Sequence, residues 1–258
     1  MPKVSLIKPG AGSTQWGTNV GQNWTDIENT FKGSLYQREV FEITADFLNS
    51  DAAHSPNLLY GTPFSVATSG TGTSAAVMVA GEANHPGINQ IETGTTATGR
   101  AAIQTALDCF LLGGGAAVFE AVVRIPTLPV AAQAFAFRIG FGDSVSADHA
   151  DGVYFELTSA NADWRCKTAS NSARTDTGSG ANAVANTWTR LRIEINAAGT
   201  SAGFYVDGTL KQTLTTNIPI GAGRGTGIVA SIIKSNGTTE RTAQIDYIYA
   251  MIDFTTAR

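Results

Sequence analysis

The chain has 258 residues, of which 43% are hydrophobic and only 15% charged, with a formal net charge of −4. That length can bury a core, but it lacks the clustered Lys and Arg that phosphate neutralisation needs, so nucleic acid is excluded as the main ligand. No segment approaches the roughly 20 apolar residues of a membrane span, and MPKVSLIKPGAGS has no apolar run long enough for a signal peptide, so a chain made in soluble form without membrane insertion is expected.

Residues 1 to 38 read differently from the rest. Pro9-Gly10-Ala11-Gly12-Ser13 is a breaker, and it leads into a segment containing Trp16, Gly17, Val20, Asn23, Trp24, Ile27 and Phe31. Thr25-x-x-Glu28 is a capping-box pattern, and Ile27 and Phe31 share one face of the short helix it would start. A helix of two or three turns is marginal in water, so this face and both tryptophans must pack on something, either this chain's own sandwich or a neighbouring protein.

The string Trp16-Gly17-(x)2-Val20-(x)2-Asn23-Trp24-(x)2-Ile27-Glu28 resembles the "WG…LN.NW..I" segment near the N-termini of bacteriophage tail-fibre and other virion appendage proteins. Val20 stands where those proteins often carry Leu, and Gly21 where they carry Asn. The resemblance implies a virion-attachment role for Trp16, Gly17, Asn23, Trp24, Ile27 and Phe31.

From about Glu39 the pattern is β. Val40–Ile43, Phe64–Val66 and Ala75–Val79 are short alternating runs, and a Gly-Thr turn signal follows around Gly94 to Gly99. Ala101–Leu112 carries helical spacing at Ile103, Leu107, Phe110 and Leu111. The glycines after it and the β context favour strand, loop, strand. Gly114–Ile125 is a long strand ended by Pro126, and its partner is Ala134–Phe141, where Phe135, Phe137, Ile139 and Phe141 must face the core. Gly152–Leu157 and Trp164–Thr168 come next.

In Trp188–Leu214, Leu191, Ile193 and Ile195 alternate with Arg190, Arg192 and Glu194, so one face of a strand is apolar and the other charged. Ala202, Phe204 and Val206 then lead to Asp207-Gly208, a primed-turn signal. Leu210 and Leu214 are expected to resume on the same, inward parity. Gly227–Lys234 and Gln244–Asp253 close the chain.

A dozen or so strands at even spacing imply an all-β, two-sheet antiparallel jelly-roll sandwich over residues 39–258, preceded by a short, partly helical extension over 1–38. The order FEAVVRI, FRIGFGD, DGVYFEL, WTRLRIEIN, GFYVDGTL and IDYIYAMI resembles concanavalin A-like, LamG-like jelly rolls from about residue 80 onward. His85-Pro86-Gly87 followed by Gly94-Thr95 resembles versions of that domain encoded in phage genomes. The fold hosts lectins, lyases, hydrolases and structural modules, so it implies a shape and not an activity.

The chemistry-bearing residues are sparse. The E-x-D-x-E pattern of jelly-roll glycoside hydrolases is absent, as are the R-x-E-x-R, Q-I-H and Y-x-K strings of alginate-lyase-type jelly rolls, and Glu120, Glu156 and Glu194 each stand singly. A site joining Glu120, Glu156 and His149 is the strongest catalytic alternative. Asp143, Asp148 and Asp151 in the loop 142–152 are oxygen donors of calcium type, but their spacing is not that of an EF-hand, and turn acids that end strands are the favoured reading. Cys109 and Cys166 are expected to be reduced, buried thiols. Trp164 and Trp188, at strand starts, are candidate glycan contacts.

No catalytic residue, metal or cofactor is therefore expected. The reading is a non-enzymatic structural protein of a tailed-phage virion, tail fibre or capsid decoration, made in the host bacterial cytoplasm. It would be trimeric, would bind other virion proteins, and would have host surface glycan as a further candidate partner. The alternatives are a carbohydrate-binding receptor-recognition module and a polysaccharide-degrading enzyme.

Overall fold

A computed structural model describes residues 39–48 and 62–256. The attachment residues Trp16, Gly17, Asn23, Trp24, Ile27 and Phe31, and the short helix expected there, lie outside the described residues.

The named elements are all strands: β1 (Val40–Ala45), β2 (Ser65–Ser69), β3 (Ser74–Val79), β4 (Ile88–Glu92), β5 (Arg100–Gln104), β6 (Gly115–Arg124), β7 (Phe135–Gly142), β8 (Gly152–Thr158), β9 (Asn161–Ser170), β10 (Ala173–Asn182), β11 (Thr189–Ile195), β12 (Ala202–Val206), β13 (Thr209–Leu214), β14 (Gly227–Lys234) and β15 (Thr242–Phe254). They form two antiparallel sheets. One has eight strands, in the order β13-β12-β11-β6-β15-β4-β3 with β1 also on β15; the other has seven, in the order β10-β9-β8-β7-β14-β5-β2. This is the two-sheet jelly-roll sandwich that the alternation implied.

Period-two patterning sets which side of each strand is buried. On β6, Ala117, Phe119, Ala121 and Val123 point inward while Val118, Glu120 and Val122 are half-exposed. On β7, Phe135, Phe137, Ile139 and Phe141 are all buried, as the sequence requires. The facing sheets meet through edge-on ring pairs, Phe119 with Phe141 at 6.2 Å and Phe155 with Phe204 at 5.2 Å. Each such side chain contributes about 1.5–3 kcal/mol by leaving water.

The turn after β12 has φ of 49° at Asp207 and 78° at Gly208, the positive values a primed hairpin turn needs. Leu210 departs from its expected inward parity. The two-residue turn pairs Val206 with Thr209 and so sets Leu210 opposite the outward Tyr205, at 50% exposure. Lys211 is then an extra residue in β13, and this bulge switches the parity so that Leu214 pairs with the inward Ala202 and lies in the core at 7%.

Other expectations change as well. Gly114–Ile125 and Ala134–Phe141 are not partners: β6 pairs with β11 and β15 in the eight-stranded sheet, while β7 pairs with β14 and β8 in the seven-stranded one, so the two face each other across the core. Ala101–Leu112 keeps its first strand as β5, but its second reduces to isolated bridges, Phe110 with Thr226 and Leu112 with Ile220. Strand β10, ARTDTGSGAN, has no apolar alternation and escapes sequence reading. It is held by pairing with β9 after a turn in which Asn171 and Ser172 take positive φ. Of the two cysteines only Cys166 is buried; Cys109 is exposed, its Sγ bonded to the Ala106 carbonyl at 2.9 Å in the loop after β5.

Candidate functional site: the outward face of the eight-stranded sheet

The outward positions of β12, β11, β6 and β15 lie in register. Arg192 pairs with Tyr205 and with Glu120, and Glu120 pairs with Tyr249, so Tyr205, Arg192, Glu120 and Tyr249 form one row across four strands. At the usual strand spacing the row is about 14 Å long. Beside it runs Gly203, Glu194, Val118 and Met251, and on its other side Arg190, Val122 and Tyr247. All three tyrosines are half-exposed.

The charges on this face are fixed by one another. Arg192 donates through Nε to Glu194 Oε1 at 2.7 Å and through Nη1 to Glu120 Oε2 at 3.3 Å. Tyr205 donates its hydroxyl to Glu194 Oε2 at 2.9 Å. Partial burial raises the Glu194 pKa, but the bonds from Arg192 and Tyr205 outweigh it, so the carboxyl sits below its ordinary value and is ionised at neutral pH. Next to this pair lies a trough of about 370 Å³, lined by Val118, Glu194, Asn196, Gly203, Tyr205 and Leu210. It exists because Gly203 has no side chain and the hairpin register sets Leu210 outward beside Tyr205.

At the far end of the same face Arg124 makes a two-pronged pair with Glu82, at 2.6 and 3.0 Å, and donates Nε to Gln244 Oε1 at 2.6 Å. Gln244 passes the chain to Gln90, and Gln90 to Glu92, each at 2.7 Å. Trp188 sits here, half-exposed. His85 stacks on it at 4.4 Å, the Arg124 guanidinium lies over it at 4.5 Å, and its Nε1 donates to Glu82. A bulge in β15 makes Asp246 the extra residue, and its carboxylate meets His85 Nδ1 at 2.8 Å. Hydrogen bonds from Arg124 and Trp188 hold the Glu82 carboxyl below its ordinary value.

The two tryptophans thus part company. Trp188 belongs to this polar face, whereas Trp164 is 2% exposed and points into the core against Phe137, ring centroids 6.2 Å apart, with no face left for a sugar. The carboxylates part too. Glu120 and Glu194 share the eight-stranded sheet, while Glu156 points out of the seven-stranded one, so Glu120, Glu156 and His149 do not converge.

Glu156 belongs to a closed cluster on the opposite face. Lys167 Nζ bonds Asp148 at 2.9 Å and Glu156 at 3.1 Å, and Arg138 Nε bonds Glu156 at 2.6 Å. Tyr154 donates to Asp148 at 2.6 Å, and Arg174 Nε lies 3.1 Å from it. Burial drives the His149 pKa down, and its Nδ1 accepts from the Ser144 amide at 3.1 Å, which makes it a neutral, buried ring. The loop acids have structural partners. Asp143 accepts from the Ala150 and Asp151 amides, and Asp151 accepts from the Asn171 amide and pairs with Arg224. Among the described residues no group of three His, Cys, Asp or Glu is placed to hold a metal ion.

Residues 84–246 match the family described as SO2946-like, C-terminal domain, over more than half of the chain. The chain belongs to the SO2946-like family. The crystal structure of SO2946 from Shewanella oneidensis MR-1, a protein of unknown function, superposes with a TM-score of 0.64 at 17% identity, covering 98% of this chain and 99% of that one. The carbohydrate recognition domain of Emp46p, in its metal-free form, gives 0.52 at 10% identity, over 84% of this chain and 97% of that one. An endo-1,3-beta-glucanase from Streptomyces sioyaensis gives 0.51 at 12%, over 83% and 97%. At these identities the likeness is one of fold, a concanavalin A-like jelly roll shared by the SO2946-like chain with carbohydrate-binding domains and glucanases. No curated protein matches the sequence.

The sequence pointed to part of the site. The charged face of β11 is legible in the sequence, whereas Tyr205, Tyr247 and Tyr249 look there like ordinary strand residues. The signal that would have found them is parity: each alternates with an inward apolar residue, so each had to face outward.

Proposed function

We propose that this chain is a non-catalytic glycan-binding module whose contact surface is the outward face of the eight-stranded sheet. The observation that carries the reading is the row Tyr205, Arg192, Glu120 and Tyr249, with the trough beside it. Flat, half-exposed rings beside ionised carboxylates and a guanidinium offer what a sugar needs, an apolar platform with hydrogen-bond acceptors and donors at its edge.

The same geometry argues against hydrolysis. A glycosidase needs a carboxyl that keeps its proton near neutral pH, whereas Glu194 and Glu82 are both pulled below their ordinary values by donated hydrogen bonds. A glycan array probed with the full chain tests the reading, together with a reducing-end assay on the polysaccharides bound. Binding without product release, weakened about tenfold or more by Tyr205→Ala, supports it. Release of reducing ends or unsaturated sugars makes the chain an enzyme instead.

A second reading rests on the string from Trp16 to Phe31 and its resemblance to virion appendage proteins. On that reading the module is a tail fibre or capsid decoration of a tailed phage. It assembles as a trimer in the virion, docks on other virion proteins through Trp16, Gly17, Asn23, Trp24, Ile27 and Phe31, and presents the sheet face to a host surface glycan. The two readings are compatible, one naming the ligand face and the other the anchor. Incorporation of the chain into particles with and without residues 1–38 tests the anchor, and equal incorporation removes it.

A further inference from the structure

The trough beside Tyr205 has a chemistry narrower than that of the row it adjoins. Val118, Leu210 and the Tyr205 ring give it apolar walls, and Gly203 lies between them. A methyl carbon on Gly203 would stand only 3.2 Å from the Tyr205 ring and 3.4 Å from Leu210, so the glycine is what keeps the space open. Its polar members are few. Glu194 neighbours Gly203 on β11, and the exposed Thr213 stands opposite Gly203 on β13. Glu194 Oε1 accepts from Arg192 and Oε2 from Tyr205, one bond to each oxygen. A carboxylate has about four acceptor sites and no donor, so each oxygen keeps a lone pair for a ligand N–H or O–H. Asn196, also on the lining, is bound within its own loop: its amide donates to Thr200, and its carbonyl accepts from the Thr200 and Ser201 amides.

We propose that this trough selects glycans that carry an N-acetyl group, an inference that rests on the reading of this face as a glycan-binding surface. An acetamido group combines a methyl, an N–H donor and a carbonyl acceptor. The methyl suits the walls of Leu210 and Val118, the N–H suits the acceptor-only Glu194, and the carbonyl suits the hydroxyl of Thr213. A volume of about 370 Å³ is at the small end of ligand sites, which run from roughly 300 to 1,000 Å³, so it takes a substituent with the edge of its ring and not a whole oligosaccharide. The alternatives fit less well. A plain hydroxyl in the same place leaves Leu210, already 50% exposed, in contact with water. A uronate or sulfate sets a second anion and more acceptors against Glu194, whose carboxyl is ionised at neutral pH, so the trough rejects it. A free amine suits Glu194 but must lose water against the apolar walls.

The test uses the full chain and glycans matched except at one ring carbon: oligomers of glucose, glucosamine and N-acetylglucosamine with the same linkage, and galactose paired with N-acetylgalactosamine. In any pair that is bound, the acetamido member is expected to bind about tenfold or more tighter than the hydroxyl member, with uronate- and sulfate-bearing glycans weaker than both. Two variants place the preference in the trough. Gly203→Val fills it from within, and Leu210→Ser removes an apolar wall at an exposed position. Each is expected to cut the preference to less than about threefold while Tm moves by no more than about 2 °C. Equal binding within the pairs, tighter binding of the free amine or of a uronate, or a preference that survives both variants overturns the inference and leaves glycan recognition by this face standing. Binding of no glycan at all overturns that recognition, and this inference with it.

Discussion

Asp148→Asn removes the hub of the cluster on the seven-stranded sheet, and its cost follows from the contacts. Asp148 accepts from Tyr154 and Lys167 at 2.6 and 2.9 Å and lies 3.1–3.2 Å from Arg174 and Arg138, while Glu156 shares Lys167 and Arg138. Three cations face two carboxylates, and after substitution they face one. Breaking a buried pair costs about 3–5 kcal/mol, and because the Asp148 and Arg174 side chains are about 30% exposed the lower figure applies, about 3 kcal/mol. For a chain of this size that lowers Tm by about 6–12 °C.

The loss carries a pH signature. Burial raises the Asp148 pKa, but the bonds from Tyr154 and Lys167 and the nearby cations outweigh it and bring it to about 2. A depressed carboxyl stabilises the fold above its ordinary pKa and loses that contribution as pH falls from about 4 toward 2. The linked share is about 1–2 kcal/mol after allowing for solvent screening. Urea unfolding followed by circular dichroism at pH 7, 4 and 2.5 measures it. The gap between wild type and variant is expected to narrow by that amount at the lowest pH. A gap under about 0.5 kcal/mol at pH 7, or one that ignores pH, refutes the reasoning.

Gly142→Ala would set a methyl carbon 2.2 Å from the buried His149 ring, which has nowhere to move, so thermal melts are expected to show a loss of about 2–3 kcal/mol; a neutral result would mean the ring is not seated there. The β13 bulge is tested by a pair of variants. Leu214→Ala is expected to cost about 2–4 kcal/mol in urea unfolding and Leu210→Ala less than about 0.5 kcal/mol, while equal losses would place both leucines inward. Burial pushes the Cys166 thiol up to about 12, and Cys109 is also raised, by partial burial, so titration with a thiol reagent at pH 7 is expected to label Cys109 slowly and Cys166 only after denaturation. Two fast-reacting native thiols would contradict this.

The sandwich was legible because its buried strands alternate cleanly: Phe135, Phe137, Ile139 and Phe141 could face only the core, and Asp207-Gly208 could only turn. What escaped was whatever parity does not encode. The bulges that return Leu214 to the core and bring Asp246 to His85 are single-residue slips, invisible to a period-two count. Strand β10 exists by pairing alone. The ion cluster joins β7, β8, β9, β10 and the loop before β8, residues up to 36 positions apart from Arg138 to Arg174, each of which looks like an ordinary surface charge in the sequence. The candidate site was half visible, as the charged face of β11. The tyrosines from β12 and β15 join it only once the sheet order places those strands on either side of β11 and β6.

The most direct test of glycan recognition is amide chemical-shift mapping of the isotope-labelled chain during titration with an oligosaccharide selected on an array. Shifts concentrated on β12, β11, β6 and β15, centred on Tyr205, Arg192, Glu120 and Tyr249, are the expected result. Shifts confined to the seven-stranded sheet, or saturable binding that leaves these four strands unmoved, would contradict it.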